Sequence, residues 1–214
     1  MGKKNKLTKF AEIREFSNVY EHIEAPKGNW ASAFDKDQPL VLELACGKGE
    51  YTIGLAKLFP DKNFLGLDIK GNRIWKGAKI GLEDGITNAA FLRCQINRIT
   101  DFFEVGEVSE IWITFADPQP RKGKAKKRLT HPNFINMYKE IAKLPLVINL
   151  KCDSDLLYEF TKEVIAEEGY KTLVDVDDVY AWEDRPEELN IRTFYENMWL
   201  EEGKKIKYLK FEVK

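Results

Sequence analysis

The feature that most constrains this chain is the alternation, through its middle, of short apolar runs with longer amphipathic stretches. Pro39 to Ala45 (PLVLELA) reads as a buried strand. Glu50 to Phe59 reads as a helix, with Ile53, Leu55, Ala56, Leu58 and Phe59 at helical spacing and Pro60-Asp61 as its stop. Asn63 to Asp68 is a second strand, and Asn72 to Leu82 a second helix that turns Ile74, Trp75, Ala78 and Leu82 inward. Ala89 to Cys94 and Glu110 to Phe115 are the next strands, followed by a helix over His131 to Leu144 and a fifth strand over Pro145 to Leu150. Asp153 to Glu168 is a further helix that ends at Gly169, a residue suited to a left-handed C-terminal cap. Continuous apolar strands separated by helices imply a mostly parallel sheet covered on both faces. In such folds ligands bind beyond the carboxyl ends of the strands, near the point where strand order reverses. Glu43 to Gly49, Asp68, Gln95, Asp117 and Asp153 all stand at such ends.

The tail breaks the pattern. Tyr170 to Val176 is a sixth strand, Asp177 to Leu189 is acidic and turn-like, and Thr193 to Glu202 is a short helix. Lys205 to Val213 alternates Leu209, Phe211 and Val213 with charged residues, a last strand with room to run antiparallel. With no repeat and no dividing linker, 1–214 is expected to be one domain, with 1–28 an N-terminal extension read as a flexible tail.

Composition excludes some classes and leaves others open. Hydrophobic residues at 43% and charged residues at 32% fit a folded globular chain. No window approaches about 18 apolar residues, so no membrane helix is expected. The basic start MGKKNKLTKF has no apolar core behind it and is not read as a secretory leader. Cys46, Cys94 and Cys152 are far apart and unpaired by motif, and His22 and His131 are too few for a metal site. A reduced, cytoplasmic setting without metal follows as the expectation. The net charge of −1, taken as a total, disfavours a polyanion partner. It is a sum over segregated regions, because Arg121 to Arg128 holds six basic residues in eight while Glu163 to Glu188 is broadly acidic.

Two segments carry chemistry. Glu43-Leu-Ala-Cys-Gly47-Lys-Gly49-Glu-Tyr51 joins the first strand to the first helix, and its glycines permit a tight turn close to a ligand. Position 52 is Thr, so the third glycine of a dinucleotide fingerprint is missing, and the loop is no G-x-x-x-x-G-K-[ST] cradle. Asp68, at the end of the second strand, is placed to hold ribose hydroxyls. Glu43 would repel a pyrophosphate but could pair with an ammonium group. That favours S-adenosylmethionine, which carries an amine and a sulfonium and no phosphate. The second segment is Phe115-Ala-Asp117-Pro118-Gln-Pro120, where two prolines stiffen the backbone after an acid, followed at once by the basic run. A basic run beside the active edge favours contact with a phosphate backbone.

ELACGKGEY, the acid in LGLDI, FADPQPRKGKAKKRLTHPNF, LKCD and NIRTFYE, in that order and at these separations, resemble the tRNA (guanine-N7-)-methyltransferase family. The resemblance runs from about Asn29 to the C-terminus. It implies a Rossmann-like class I methyltransferase with a seven-stranded sheet, S-adenosylmethionine as cofactor, and tRNA methylated at N7 of a variable-loop guanosine. It implies that Glu43, Gly47, Gly49, Asp68, Gln95 and Asp117 hold the cofactor, that Asp117 is catalytic, and that Arg121, Asp153, Thr193 and Glu196 meet the substrate. Gln95 stands where the family commonly has Asp or Asn, Ala116 and Gln119 replace a Pro and a Trp, and Ala45 replaces the usual first loop glycine, so that turn is expected to differ slightly. Thr193-x-x-Glu196 also matches a helix capping box, and the two roles could coexist. Trp75, Trp112, Trp182 and Trp199 could stack on bases but read more readily as core. No feature distinguishes a monomer from a homodimer. The alternatives are a methyltransferase acting on another RNA or a small molecule, a noncatalytic RNA-binding module on the same fold, and a nicotinamide-dependent reductase, which Thr52 and Glu43 disfavour.

Overall fold

The computed structural model describes residues 6–21 and 24–214. Helices are α1 (Lys6–Glu12), α2 (Glu50–Leu58), α3 (Gly71–Glu83), α4 (Pro132–Ile141), α5 (Asp155–Glu167) and α6 (Phe194–Glu201). Strands are β1 (Val19–Tyr20), β2 (Leu40–Leu44), β3 (Asn63–Asp68), β4 (Ala89–Arg93), β5 (Val108–Thr114), β6 (Ala142–Cys152), β7 (Lys171–Val176) and β8 (Lys207–Val213). They form one sheet in the order β1-β4-β3-β2-β5-β6-β8-β7. Pairing is parallel from β1 through β6, and β8 runs antiparallel between β6 and β7. Strand order reverses at β2 and β5, so their carboxyl ends open the ligand-binding crevice of a doubly wound sheet.

Side-chain alternation divides the core between the two faces. Leu40, Leu42, Leu44, Leu65, Leu67, Ile111 and Ile113 pack toward α4 and α5. Val41, Phe64 and Trp112 pack toward α2, α3 and the segment that carries Val179 and Leu189. Gly169 takes φ +67 as the expected cap after α5.

Four details differ from the sequence expectation. Among the described residues the sheet has eight strands and not seven, because two residues, Val19 and Tyr20, pair with Phe91 and Leu92 at the edge. So short a strand has no periodicity to read. Within 1–28, Ile13 is buried, and α1 covers α3, with Lys9 4.6 Å above the Trp75 ring. The helix expected over 131–144 ends at Ile141, and Ala142 already pairs with Val108. Leu82 is exposed, because the buried row of α3 runs Ile74, Ala78, Gly81, and the next position turns away. No helix among the described residues is long and apolar enough to cross a membrane. His22 lies outside the described residues.

Candidate active site

The crevice is a cavity of about 930 Å³ walled by the ends of β2 to β6 and by α6. Asp68, Gln95, Asp117 and Asp153 all line it. So do Tyr195 and Trp199 from α6, and Lys70, Arg73 and Lys127. Its volume sits at the upper end of the roughly 300–1,000 Å³ usual for a ligand of drug size, space for more than a small metabolite.

The floor is the turn after β2. Ala45, Gly47 and Gly49 have φ of +58, +58 and +69. Ala45 thus takes the left-handed conformation that glycine favours, so the turn expected to differ is kept, at a cost of about 1–2 kcal/mol for the β-carbon. At Gly49 a β-carbon would lie 2.5 Å from the Phe91 ring and 3.2 Å from Gly77 Cα, so glycine lets the loop seat on α3 and the sheet. Gly47 N–H donates to Asp68 Oδ2 (3.0 Å), and Lys70 N–H donates to Asp68 Oδ1 (2.7 Å). Both carboxylate oxygens keep a lone pair for a ligand in the cavity.

Glu43 stands beneath this floor and does not line the cavity. It is 3% exposed; Thr52 N–H (2.7 Å) and Thr52 hydroxyl donate to Oε2, and the Thr114 hydroxyl donates to Oε1. Burial raises its carboxyl from 4.5 to about 7 against the lowering effect of those hydrogen bonds. The first-turn amide of α2, where a dinucleotide's phosphate would sit, is therefore already occupied by a carboxylate. That fits a nucleoside cofactor without phosphate, and Asp68 and Gln95 place polar groups on the cavity wall.

On the far wall, Asp117 is exposed, and its Oδ1 accepts from Gln119 N–H at 2.9 Å. Phe115 and Gln119, on either side of it, have φ +50 and +47. Strained backbone of this kind survives where surrounding contacts enforce it, commonly at functional sites. Asp153 is partly buried, with Lys204 Nζ 3.7 Å away. Lys204 also lies 3.5 Å above the Trp199 ring.

The full chain matches relatives along its whole length. Residues 37–209 match a family model described as "Putative methyltransferase". The tRNA (guanine-N(7)-)-methyltransferase of Christiangramia forsetii is 46% identical over 224 residues, covering 100% of both chains. The enzyme of the same name from Bacteroides fragilis is 46% identical, covering 99% of this chain and 86% of its own. The chain belongs to the tRNA (guanine-N(7)-)-methyltransferase family. Among solved structures, the 16S rRNA methyltransferase KamB superposes with TM-score 0.62 at 13% identity, covering 99% of this chain and 95% of its own. An S-adenosylmethionine-dependent methyltransferase from Aquifex aeolicus does so with TM-score 0.58 at 12% identity, covering 99% and 100%. The fold is the Rossmann-like class I methyltransferase fold.

Of the residues that the family resemblance singled out, the cavity gathers Asp68, Gln95, Asp117 and Asp153, with the glycines Gly47 and Gly49 forming the turn beside it. Arg121 is exposed at the start of the basic turn and lies off the cavity wall, which Lys127 reaches instead. Thr193 and Glu196 form the capping box of α6 (Glu196 N–H to Thr193 Oγ1, 3.1 Å; Thr193 N–H to Glu196 Oε2, 3.3 Å). Glu196 is fully buried and pairs with the equally buried Lys151 at 2.7 Å. Tyr195 and Trp199 also line the cavity, although the sequence offered Trp199 for base stacking only as second to a core role and singled out Thr193 and Glu196, not Tyr195, in its segment. Their spacing of four placed them on one helical face, but nothing in the sequence said which face met the crevice.

Proposed function

We propose that this chain transfers a methyl group from S-adenosylmethionine to N7 of a guanosine in the variable loop of tRNA, as a cytoplasmic monomer or homodimer. The observation that carries the reading is the single cavity lined by Asp68 and Gln95 and by Asp117 and Asp153 alike, in a chain 46% identical over its full length to enzymes named for this reaction. Bound there, S-adenosylmethionine would supply the electrophilic methyl group, its sulfonium–methyl bond breaking as the bond to N7 forms, with S-adenosylhomocysteine as the leaving product. Asp68 would hold the ribose hydroxyls, and Gln95 the base.

Guanine N7 carries a free lone pair and faces outward as an acceptor, so no base is needed to activate it. Alignment of the two reactants can then supply much of the rate, up to roughly 7–11 kcal/mol. The purine gains positive charge as the methyl arrives. The carboxylates of Asp117 and Asp153 stabilise that charge more than they stabilise the neutral ground state, which is the condition for catalysis. Asp153 is also able to accept from guanine N1–H and the exocyclic amine, donors that adenine does not offer together on that edge. Glu196 is less suited to that task, because Lys151, Tyr180 and Thr193 already engage its oxygens. Tyr195 and Trp199 offer aromatic faces for a base, and five exposed cations (Arg121, Lys122, Lys124, Lys126, Lys127) offer phosphate contacts.

The test is transfer from labelled S-adenosylmethionine to unmodified tRNA, followed by nucleoside analysis. The expected product is 7-methylguanosine. Label in another nucleoside, or cofactor binding with no transfer to any tRNA, overturns the reading.

A further inference from the structure

Arg128 ends the basic run, and its charge alone suggests one more phosphate contact. The structure gives it a different environment. It is 6% exposed, whereas the other five cations of the run are exposed. Its Nε donates to Pro118 O at 3.1 Å, and one terminal nitrogen donates to Gln119 O at 3.3 Å. The guanidinium lies 4.4 Å from the centre of the Phe160 ring, and the His131 ring is nearly parallel to Phe160 at 6.2 Å. No carboxylate pairs with Arg128 among the described residues. The residues that follow it are anchored, because Tyr138 hydroxyl donates to Leu129 O and Thr161 hydroxyl to Thr130 Oγ1.

The two carbonyls it grips belong to the residues directly after Asp117. This is the segment in which Phe115 and Gln119 take left-handed φ and Pro118 and Pro120 offer no N–H. Phe115 N–H donates to Lys151 O and Gln119 N–H to Asp117 Oδ1, which leaves the Pro118 and Gln119 carbonyls to be held from outside the segment. The buried Arg128 fork supplies both donors in fixed geometry, where a lysine would be a single point charge. Arg128 therefore ties the Asp117 loop to α4 and α5.

We propose that Arg128 is a positioning residue: its fork clamps the Pro118 and Gln119 carbonyls and fixes the Asp117 carboxylate at the cavity wall, and it does not contact RNA. The catalytic part of this inference rests on the methyl-transfer reading above.

The experiment compares Arg128→Lys and Phe160→Leu with the wild type and with Lys124→Gln, a change in an exposed cation of the same run. Arg128→Lys keeps the charge and loses the fork. A displacement of Asp117 by about 1 Å predicts a loss of about a hundredfold in kcat. The KM for tRNA and its salt dependence stay within about twofold, as expected where no phosphate contact is lost. Lys124→Gln shows the reverse pattern. Amide exchange in 115–121 accelerates in Arg128→Lys, and to a smaller extent in Phe160→Leu, which keeps the arginine but removes its aromatic support. Added guanidinium ion restores part of the activity of Arg128→Ala. An Arg128→Lys enzyme with unchanged kcat and weaker, less salt-sensitive tRNA binding makes Arg128 a phosphate contact and overturns the proposal. Unchanged exchange in 115–121 in a folded variant overturns it too, whatever the substrate. If Arg128→Lys does not fold, Phe160→Leu decides by the same two readouts. A wild type that methylates no tRNA defeats the functional reading, while the exchange result still decides the clamp.

Discussion

The buried Lys151–Glu196 pair allows a prediction whose size follows from the geometry. Both side chains are 0% exposed. Lys151 Nζ donates to Leu189 O (2.9 Å) and Ile191 O (3.0 Å) and pairs with Glu196 Oε1 at 2.7 Å, so its three N–H groups are all used. Burial pushes the amine down from 10.5, and Glu196 holds it back up. Glu196→Leu strands the ammonium in the interior, a change that costs about 3–5 kcal/mol, plus about 1 kcal/mol for the lost Thr193 N–H bond to the carboxylate, the other half of the capping box being kept. For a chain of this size that lowers Tm by about 10 °C or more. Lys151→Met combined with Glu196→Leu removes both charges and should recover the ion-pair part of that loss, leaving the capping loss and the cost of the Leu189 and Ile191 carbonyls and the Tyr180 hydroxyl without their partners. The pH dependence has a definite sign. Without its partner, Lys151 has a native pKa further below 10.5, so the native state binds fewer protons than the unfolded state. Stability of Glu196→Leu therefore rises with pH through the alkaline range toward 10.5, and its deficit is smaller at pH 10 than at pH 7. Equilibrium denaturation of the two single variants and the double variant at both pH values measures this. A single variant within about 1 kcal/mol of wild type, or a double variant as unstable as the two losses summed, would refute the reasoning.

Other outcomes follow from the same structure. Burial puts Glu43 at about 7 when folded against 4.5 as its ordinary value, so the native state holds the extra proton and the Glu43 contribution to stability falls by roughly 3 kcal/mol as pH rises from 4.5 to 7. Glu43→Gln should flatten that slope in urea titrations, and an unchanged slope assigns the proton elsewhere. Neutralising Lys122, Lys124 and Lys126 to Gln should make the plot of log affinity for tRNA against log salt shallower by about 2, at roughly 0.7–0.9 per phosphate contact; an unaltered slope means that the run faces away from RNA. Gly49→Ala puts a β-carbon 2.5 Å from Phe91 at φ +69, and should cost about 2 kcal/mol or more and weaken cofactor binding in calorimetry. Tolerance of that change without loss would contradict the seating of the loop on α3.

The central βαβ pattern was legible because burial on both faces writes unbroken apolar runs, and the strand ends named Asp68, Gln95, Asp117 and Asp153 directly. What was not legible depends on the third dimension. Arg128 is chemically identical to Arg121 in a charge run, and only folding shows one buried on Phe160 and the other exposed. Glu43 reads as a ligand because it adjoins glycines. The sheet instead turns it under α2, where Thr52 and Thr114 satisfy it. Glu196 satisfies a local rule, the capping box, and a distant one, the pair with Lys151, and sequence shows only the first. Trp199 reads as core by composition, yet it lines the crevice with Tyr195.

The central claim is that N7 of a variable-loop guanosine is the nucleophile presented to this cavity. Synthetic tRNA carrying 7-deazaguanosine at that position keeps the base-pairing edge and the ring shape but replaces N7 by a carbon that cannot accept the methyl. This tRNA is expected to compete with unmodified tRNA at similar affinity and to take up no label from S-adenosylmethionine. Label transferred to it at the wild-type rate would contradict the account.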